Sequence, residues 1–571
     1  MSINSLWGND FIVEDKQKKE KNILTKVKNP KTPKIMSVEK AVKSKTIPIE
    51  EKLKIIKENV YKILGIYKQN TQVIKTKEDL AKYIDKAIEN GIIAIDTETN
   101  NSLDPVTCKI MGGCLYTPGL KNAYVPMNHE DLYTRKRFSW QITEEEFKEQ
   151  LDRLVNTKII YHNAKFDIEV IKCTCKCDLN LYWDTLIAAK LLDENGRAGL
   201  KEQYITKIDS SIEKYDITHL FENVEYAIVE PEVFALYAAT DSFMTYKLYE
   251  YQLEKFKLPE NKKLFELLNT VEIPLVKVIS NLELAGMEVD QEYAKRLSEK
   301  YHNKLDELEL EINDELEKLK PRILNWRLTK EANFHPINNA GKSMKSKNEQ
   351  LSDPINLGSP TQLAILFYDI FKCPQVSKKS PRGTGEEELQ KIADKINEPI
   401  CHLILKRRGL TKLINTYIDV IPELAKRWPD GRVRTHFNQY GAATGRLSSS
   451  EPLNFQNIPS HEKSIRLLFK AKDGYKIVGG DYSAQEPRLT AHYSNDEQMI
   501  SAYIEGKDLY SVIASASFNV PYEDCLEFYP EGTEIEYEGK SVICGYKTHQ
   551  NKSGKERRTM AKSKQYCSLT E

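Results

Sequence analysis

An apolar run that ends in two carboxylates, Gly91-Ile-Ile-Ala-Ile-Asp96-Thr-Glu98-Thr, constrains this chain more than any other segment. It is short and rich in β-branched residues, which predicts a buried strand that turns polar at its end. Side chains alternate faces along a strand, so Asp96 and Glu98 share one face. A second apolar run, Lys158-Ile-Ile-Tyr161, leads into Asn163-Ala-Lys-Phe-Asp167 and delivers a third acid just past its end. Residues 232–253 repeat apolar positions at three- and four-residue spacing and predict a helix, with Tyr237 and Asp241 on one face. Asp96, Glu98, Asp167 and Asp241 repel one another if brought together, unless divalent cations neutralise them. Hard oxygen donors suit Mg²⁺, with Mn²⁺ as a substitute. Two such ions ~4 Å apart activate a water and stabilise the leaving oxygen of a phosphodiester, with Tyr237 orienting the water.

A lone Asp-x-Glu is usually surface charge, and Tyr-x-x-x-Asp is commoner still. The three pieces in this order carry more weight than any one of them. They resemble the DEDD 3′–5′ exonucleases of the tyrosine-bearing, proofreading subgroup. Asp184-Thr185, with the Ala-Ala-Lys-Leu-Leu run behind it, and Gly199-Leu200-Lys201 add to that likeness.

Three later segments carry a second reading. Thr444-Gly-Arg446-Leu-Ser-Ser449, continuing to Phe455-Gln456-Asn457-Ile-Pro459, suits a surface that grips a duplex near its primer end. Minor-groove acceptors look alike in every correct base pair, so arginine and amide contacts there check geometry without reading sequence. Ile477-Val-Gly-Gly-Asp481-Tyr482, running on to Glu486 and Arg488, predicts an apolar strand with an aspartate at its end, a rigid place for a metal ligand. Arg558 and Lys562 lie four apart on a predicted helix and can hold a triphosphate from one face.

These segments resemble family A DNA polymerases, the group of bacterial DNA polymerase I and many phage replicases. Supporting matches are Glu272-Ile-Pro-Leu, Leu284-Ala-Gly286 through Asp290, Asn356 through Leu363, Gly385 through Leu389 and Leu413 through Tyr417. The resemblance implies that Asp481 binds both Mg²⁺ ions of nucleotidyl transfer with help from Tyr482. It implies that Glu486 excludes a ribose 2′-hydroxyl, that Tyr510, Arg558, Lys562 and Tyr566 face the nucleotide, and that Arg446, Gln456 and Asn457 face DNA. Arg488 is expected to partner a buried carboxylate. Primer–template DNA and deoxynucleotides are the implied substrates, with other replication proteins as further partners. Ala484, Pro487 and Tyr510 depart from the family's usual residues, and Tyr510 replaces a histidine that often touches the triphosphate.

The expected class is α/β: a ribonuclease H-like exonuclease domain at 71–255, then an incomplete right-hand polymerase domain at 256–571. A separate 5′-nuclease domain is not found in the sequence, which suggests a phage-type enzyme. After Tyr566 the family pattern is abandoned, and its later His-Asp-Glu turn does not occur in the sequence. The expectation is a split or interrupted polymerase gene, completed by a second fragment or by intein splicing at Cys567, with little primer extension by this chain alone.

Residues 1–70 are rich in lysine and lack arginine, and are expected to form a flexible basic arm in which Trp7 and Phe11 serve as a docking peptide. Lysine plus arginine equals aspartate plus glutamate at 84 each, so net charge does not argue for nucleic acid. A long helix is expected over 291–320, and loops over 340–385. The N-terminus has no secretory pattern and no apolar run reaches the ~20 residues that span a bilayer, which points to the cytoplasm and away from membranes. The ten cysteines are expected to be reduced thiols; Cys173, Cys175 and Cys177 lack the spacing of a closed zinc site.

Overall fold

The computed structural model describes residues 47–210, 221, 223–396, 398–442, 444–537 and 540–569, with side chains through Ser563. The docking peptide expected at Trp7 and Phe11 lies outside the described residues. The chain divides into two compact units, one ending at Asp473 and the other beginning at Gly474. The expected boundary between a nuclease and a single polymerase domain at 256 is therefore not where the compact units part. Residues 257–473 cluster with the nuclease segment.

The first unit is built on a six-stranded mixed sheet. Its strands are β1 (Thr71–Val73), β2 (Ile92–Thr99), β3 (Ile110–Tyr116), β4 (Asn122–Pro126), β5 (Lys158–Tyr161) and β6 (Trp183–Asp184), in the order β1-β4-β3-β2-β5-β6. β2 and β3 are antiparallel, as are β3 and β4, while β2–β5, β5–β6 and β1–β4 run parallel. Ile93, Ala94 and Ile95 of β2 are fully buried, as a central strand covered on both faces requires.

Helices pack around the sheet: α1 (Ile49–Leu64), α2 (Lys77–Asn90), α3 (Glu144–Leu151), α4 (Ala164–Thr174), α5 (Thr185–Leu192), α6 (Leu200–Lys207) and α7 (Pro231–Phe256). Local signals set their ends. Thr76 caps α2, and Gly91 closes it in the left-handed region at φ 67°. Thr143 and Glu146 form a reciprocal capping pair at the start of α3. The 26 residues of α7 cross the sheet with apolar side chains on nearly every face, because the helix is buried on most sides.

Helix α1 corrects the expectation of a flexible arm to residue 70. Ile56, Val60 and Leu64 recur at helical spacing and are buried in a cluster with Phe234, Ala235 and Ala238 of α7. Lys54 and Lys62 lie exposed on the outward face, while Lys52 is buried at the head of the apolar stripe, and this charge obscures the stripe in the sequence.

Beyond α7, a helix at Ile273–Ala285 packs against α4 and ends at Gly286, whose φ is 57°. A Cβ there would lie 2.9 Å from the Val433 carbonyl oxygen, so glycine is required. Met287–Val289 then pairs antiparallel with Arg432–Val433 and Phe469–Lys470. The expected long helix runs over Gln291–Arg327, 37 residues or about 55 Å at the α-helical rise. Its start packs with Tyr417, Ile421 and Leu468, and its end, through Ile312 and Trp326, with Leu366, Phe367 and Ile404. Part of the expected loop region is helical instead. Pro360–Ala364 continues as a π-helical turn to Ile370, with Leu363 and residues 365–370 buried. Its Asn/Gly/Ser-rich flanks obscure that apolar run.

In the second unit, helices Gln485–Ser494, Glu497–Ile504 and Leu509–Phe518 precede a hairpin, Glu534–Tyr537 with Lys540–Ile543, and a final helix, Lys552–Leu569, packed on Leu509–Phe518. The strand expected from Ile477 to Asp481 does not form. No described residue pairs with it, and Ile477 and Val478 are 60% and 91% exposed. A strand exists through its hydrogen-bonding neighbour, so apolar character alone does not create one.

Gly113 of β3 is a close-packing point, because a Cβ added there would lie 2.5 Å from the Phe147 ring of α3. Gly113→Ala is expected to overpack the core by about 1–3 kcal/mol. It should lower the urea midpoint of the first unit; an unchanged midpoint counts against this packing.

Candidate functional site

The sheet brings the predicted acids to the carboxyl end of β2. Asp96 faces Cys114 across the antiparallel register with β3, and Glu98 faces Gly112. Ligand atoms of Asp96, Glu98 and Cys114 lie within 4.8 Å of one another. At Gly112 a Cβ would sit 2.4 Å from the Tyr124 ring, so the missing side chain lets that ring lie beneath the Glu98 position.

Asp167 sits in the first turn of α4, the helix that follows the strand ending at Tyr161. Its Oδ1 accepts from the Thr97 backbone N–H at 2.8 Å and from the Thr97 hydroxyl at 2.7 Å, which leaves Oδ2 outside those two bonds. Thr97 therefore ties the third acid to the strand that carries the first two. The start of α4 is fixed in turn by Asp184. Its carboxylate accepts from Asn163 N, Ala164 N, Leu186 N and Ile187 N, at the heads of both α4 and α5.

Asp241 and Tyr237 share a face of α7, as their spacing predicts. Lys201 of α6 reaches both: its Nζ is 3.6 Å from Asp241 Oδ2 and 4.4 Å from the centre of the Tyr237 ring. Asp241 Oδ1 is buried and accepts no hydrogen bond among the described residues. A buried carboxylate oxygen without a hydrogen-bond partner in an acid-lined site leaves a position that a cation can fill.

The electrostatics agree. Burial, followed by Asp167, Glu98 and Asp241, pushes the Asp96 carboxyl well above its usual range, and Lys201 opposes this. Glu98 is pushed up to about 8, first by burial and then by Asp241. Burial raises Asp167 to about 7 against the pull of its two bonds from Thr97. Asp241 is also raised by burial, with Lys201 pulling the other way. The shared cause is negative charge crowded out of water, which bound divalent cations would relieve. The donor set fits Mg²⁺ or Mn²⁺: oxygens from Asp96, Glu98, Asp167 and Asp241, one of them otherwise unsatisfied.

Sequence reasoning assigned no role to Thr97, Cys114 or the Lys201 contact. Each acts through a partner on another element, and no local spacing marks that.

The polymerase-like residues are distributed over both units. In the first, Arg446 and Asn457 are exposed, but Gln456 is committed to backbone. It accepts from Ser449 N at 2.9 Å and donates to the Leu447 carbonyl at 2.9 Å, fixing the turn that follows Arg446. In the second unit Tyr510, Arg558 and Lys562 come together: the Arg558 guanidinium and the Lys562 ammonium lie 5.4 and 5.6 Å from the Tyr510 ring centre. Arg558 also forks onto Asp508 at 2.9 and 3.0 Å. Asp481, Tyr482 and Glu486 are exposed, Tyr482 to 81%, and Asp481 lies on irregular backbone in place of the expected strand. Arg488 stacks on Tyr503 at 4.3 Å and donates to the Ser483 carbonyl, where a carboxylate partner was expected. The role expected of Tyr566 falls outside the described side chains.

Known proteins resemble both parts of the chain. Residues 71–256 match the family model described as 3′–5′ exonuclease, and residues 329–527 that of DNA polymerase family A. DNA polymerase I of Chloroflexus aurantiacus is 30% identical over 462 residues, 78% of this chain and 44% of that protein. The thermostable DNA polymerase I of Thermus thermophilus is 35% identical over 273 residues, 47% of this chain and 28% of that protein. The chain thus spans less than half the length of these relatives. Both are bacterial and lend no support to a phage origin. The solved POL domain of Pol1 from M. smegmatis, in complex with DNA primer-template and dNTP, shares the fold at a TM-score of 0.60 and 21% identity, covering 87% of this chain and 70% of that one.

Carboxyls whose folded pKa lies above the unfolded value bind more protons when folded. Their contribution to stability is complete below about pH 4 and is lost as pH rises through the folded values of about 7 and about 8. Metal-free protein should therefore lose thermal stability between about pH 5 and about pH 8.5, and Mg²⁺ should raise the melting midpoint more at the higher pH. Glu98→Gln should flatten the decline. An Mg²⁺ effect equal at both pH values counts against the shared site.

Proposed function

We propose that the chain proofreads and extends DNA primers on a template in replication, a reading supported by the match of residues 71–256 to the 3′–5′ exonuclease family model and of residues 329–527 to that of DNA polymerase family A. The observations that support the nuclease half are the closeness of Asp96 and Glu98, the anchoring of Asp167 on Thr97 between them, the electrostatic coupling of Asp241 to both, and one Asp241 oxygen buried and unsatisfied. A primer 3′ end and its terminal phosphodiester are the proposed substrate.

Two Mg²⁺ ions, when bound, would neutralise the four acids, acidify a water and stabilise the leaving 3′-oxygen. The chain's own residues position everything else. Thr97 keeps Asp167 turned toward Asp96 and Glu98. The Tyr237 hydroxyl orients the attacking water, and Lys201 holds the Tyr237 and Asp241 face of α7 in place. Charge crowded into a pocket away from bulk water strengthens each of these interactions.

For synthesis, Asp481 and the Tyr482 carbonyl are the proposed metal ligands, and Glu486 the residue that rejects a ribose 2′-hydroxyl. Tyr510, Arg558, Lys562 and Tyr566 are proposed to meet the incoming deoxynucleotide. Arg446 and Asn457 are proposed to meet the minor groove beside the primer end, with Gln456 bracing the loop that carries Arg446. The clustering of Arg558 and Lys562 around Tyr510 supports the triphosphate reading. No helix among the described residues is long and apolar enough to cross a membrane, which suits action on nucleic acid in the cytoplasm.

A second reading keeps the nuclease and makes the remainder a DNA-holding platform. The exposure of Asp481 on irregular backbone favours it, while Asp167 is buried and Asp96, Glu98 and Asp241 are half-buried. A magnesium-dependent assay on an end-labelled primer–template, with and without deoxynucleotides, separates the two. Asp96→Ala is expected to reduce degradation by more than the ~10–100-fold that loss of an outer-shell partner costs, and Asp481→Ala to leave it intact. Extension lost in Asp481→Ala supports the polymerase reading. Undiminished degradation by Asp96→Ala refutes the nuclease site.

A further inference from the structure

The nuclease site contains a sulfur that its proposed hydrolysis does not use. Cys114 lies on β3 directly across from Asp96, and its sulfur is within 4.8 Å of ligand oxygens of both Asp96 and Glu98. The residue is fully buried and its thiol is free. No hydrogen bond from a described residue engages the sulfur. Cys114 shares a buried cluster with Tyr124 and Phe234, and its register partner on β4 is Tyr124.

Hard Mg²⁺ has little affinity for thiolate, whereas Zn²⁺, Cd²⁺ and Co²⁺ take sulfur and carboxylate together. With zinc–sulfur bonds near 2.3 Å and zinc–oxygen bonds near 2.1 Å, tetrahedral donors sit ~3.6 Å apart. Closing from 4.8 Å or less takes side-chain rotations of about 1 Å, with no movement of the paired strands.

Resting on the nuclease reading of this site, we propose that Cys114 makes it a mixed oxygen–sulfur centre, in which a thiophilic divalent cation is held by Cys114, Asp96 and Glu98 and displaces the magnesium that hydrolysis requires. The Cys114 S–H bond breaks, the sulfur–metal bond forms, and the proton leaves to solvent. No electron changes hands. The nuclease is therefore silenced by Zn²⁺ or Cd²⁺ at concentrations that leave a site of carboxylates alone in its magnesium form.

Co²⁺ is the direct probe, because a thiolate ligand gives a sulfur-to-cobalt charge-transfer absorption in the near ultraviolet. The full chain titrated with Co²⁺ should develop this band, and Cys114→Ser should not. Asp96→Asn, which keeps the thiol, should weaken it. The Zn²⁺ concentration that halves magnesium-dependent degradation should rise at least ~10-fold in Cys114→Ser. A wild-type chain without the band, or a band that survives Cys114→Ser, overturns the proposal. Failure of the wild-type chain to degrade DNA with magnesium alone counts instead against the nuclease reading, whereas the cobalt band reads the sulfur ligand independently of turnover.

Discussion

Repulsion among Asp96, Glu98, Asp167 and Asp241 is the constraint on which the first unit depends. Burial, joined at Asp96 and Glu98 by repulsion from the other acids, raises all four carboxyls above their usual range and opposes folding in the charged form. Something must offset that cost, and the surrounding core does so. Ile93, Ala94 and Ile95 anchor β2 immediately before the acids, and α7 covers the sheet with apolar side chains on most of its faces. The acids thus sit at the edge of a buried core, where the backbone has little freedom to let them drift apart.

Their arrangement also depends on polar contacts that are not themselves in the proposed chemistry. The Asp184 carboxylate takes N–H groups from the heads of two helices, satisfying donors that a helix start leaves open. Through α4 this bears on Asp167. The same helix carries Lys165, whose ammonium meets Glu283 and the Phe437 carbonyl, each at 2.6 Å. Glu283 is buried, and it also accepts from Phe437 N at 2.6 Å and pairs with His436 at 3.1 Å. A buried charge paired on several sides is expensive to break. Residues around 283 and 437 are therefore bound to the helix that positions a nuclease ligand, which explains why 257–473 cluster with the nuclease segment.

Much of this was legible in the sequence where the signal was local. The period of two placed Asp96 and Glu98 on one face, and the four-residue spacing placed Tyr237 and Asp241. The amphipathic pattern from 291 to 320 anticipated the long helix, which runs seven residues further, to Arg327. What escaped was set by partners distant in sequence. Thr97 meets Asp167 across 70 residues, and Lys201 meets Asp241 from another helix. Cys114 faces Asp96 only through the β2–β3 register. Helix α1 escaped for a different reason. Its charged residues interrupt the apolar ones along the sequence, and the buried stripe of Ile56, Val60 and Leu64 shows only at helical spacing.

The two acidic centres differ for the same physical reason. β2 is hydrogen-bonded to β3 on one side and β5 on the other, so the carboxylates at its end inherit a fixed backbone. The run Ile477-Val-Gly-Gly480 has only two apolar side chains, no described residue pairs with it, and Asp481 follows on irregular backbone with its side chain exposed. An aspartate after an apolar run is thus a ligand only to the extent that the run is paired, because a metal needs its donors within tenths of an ångström. The resemblance to a polymerase motif identifies which residue would serve. Whether it serves is decided by strand pairing, a property of the sheet and not of the motif.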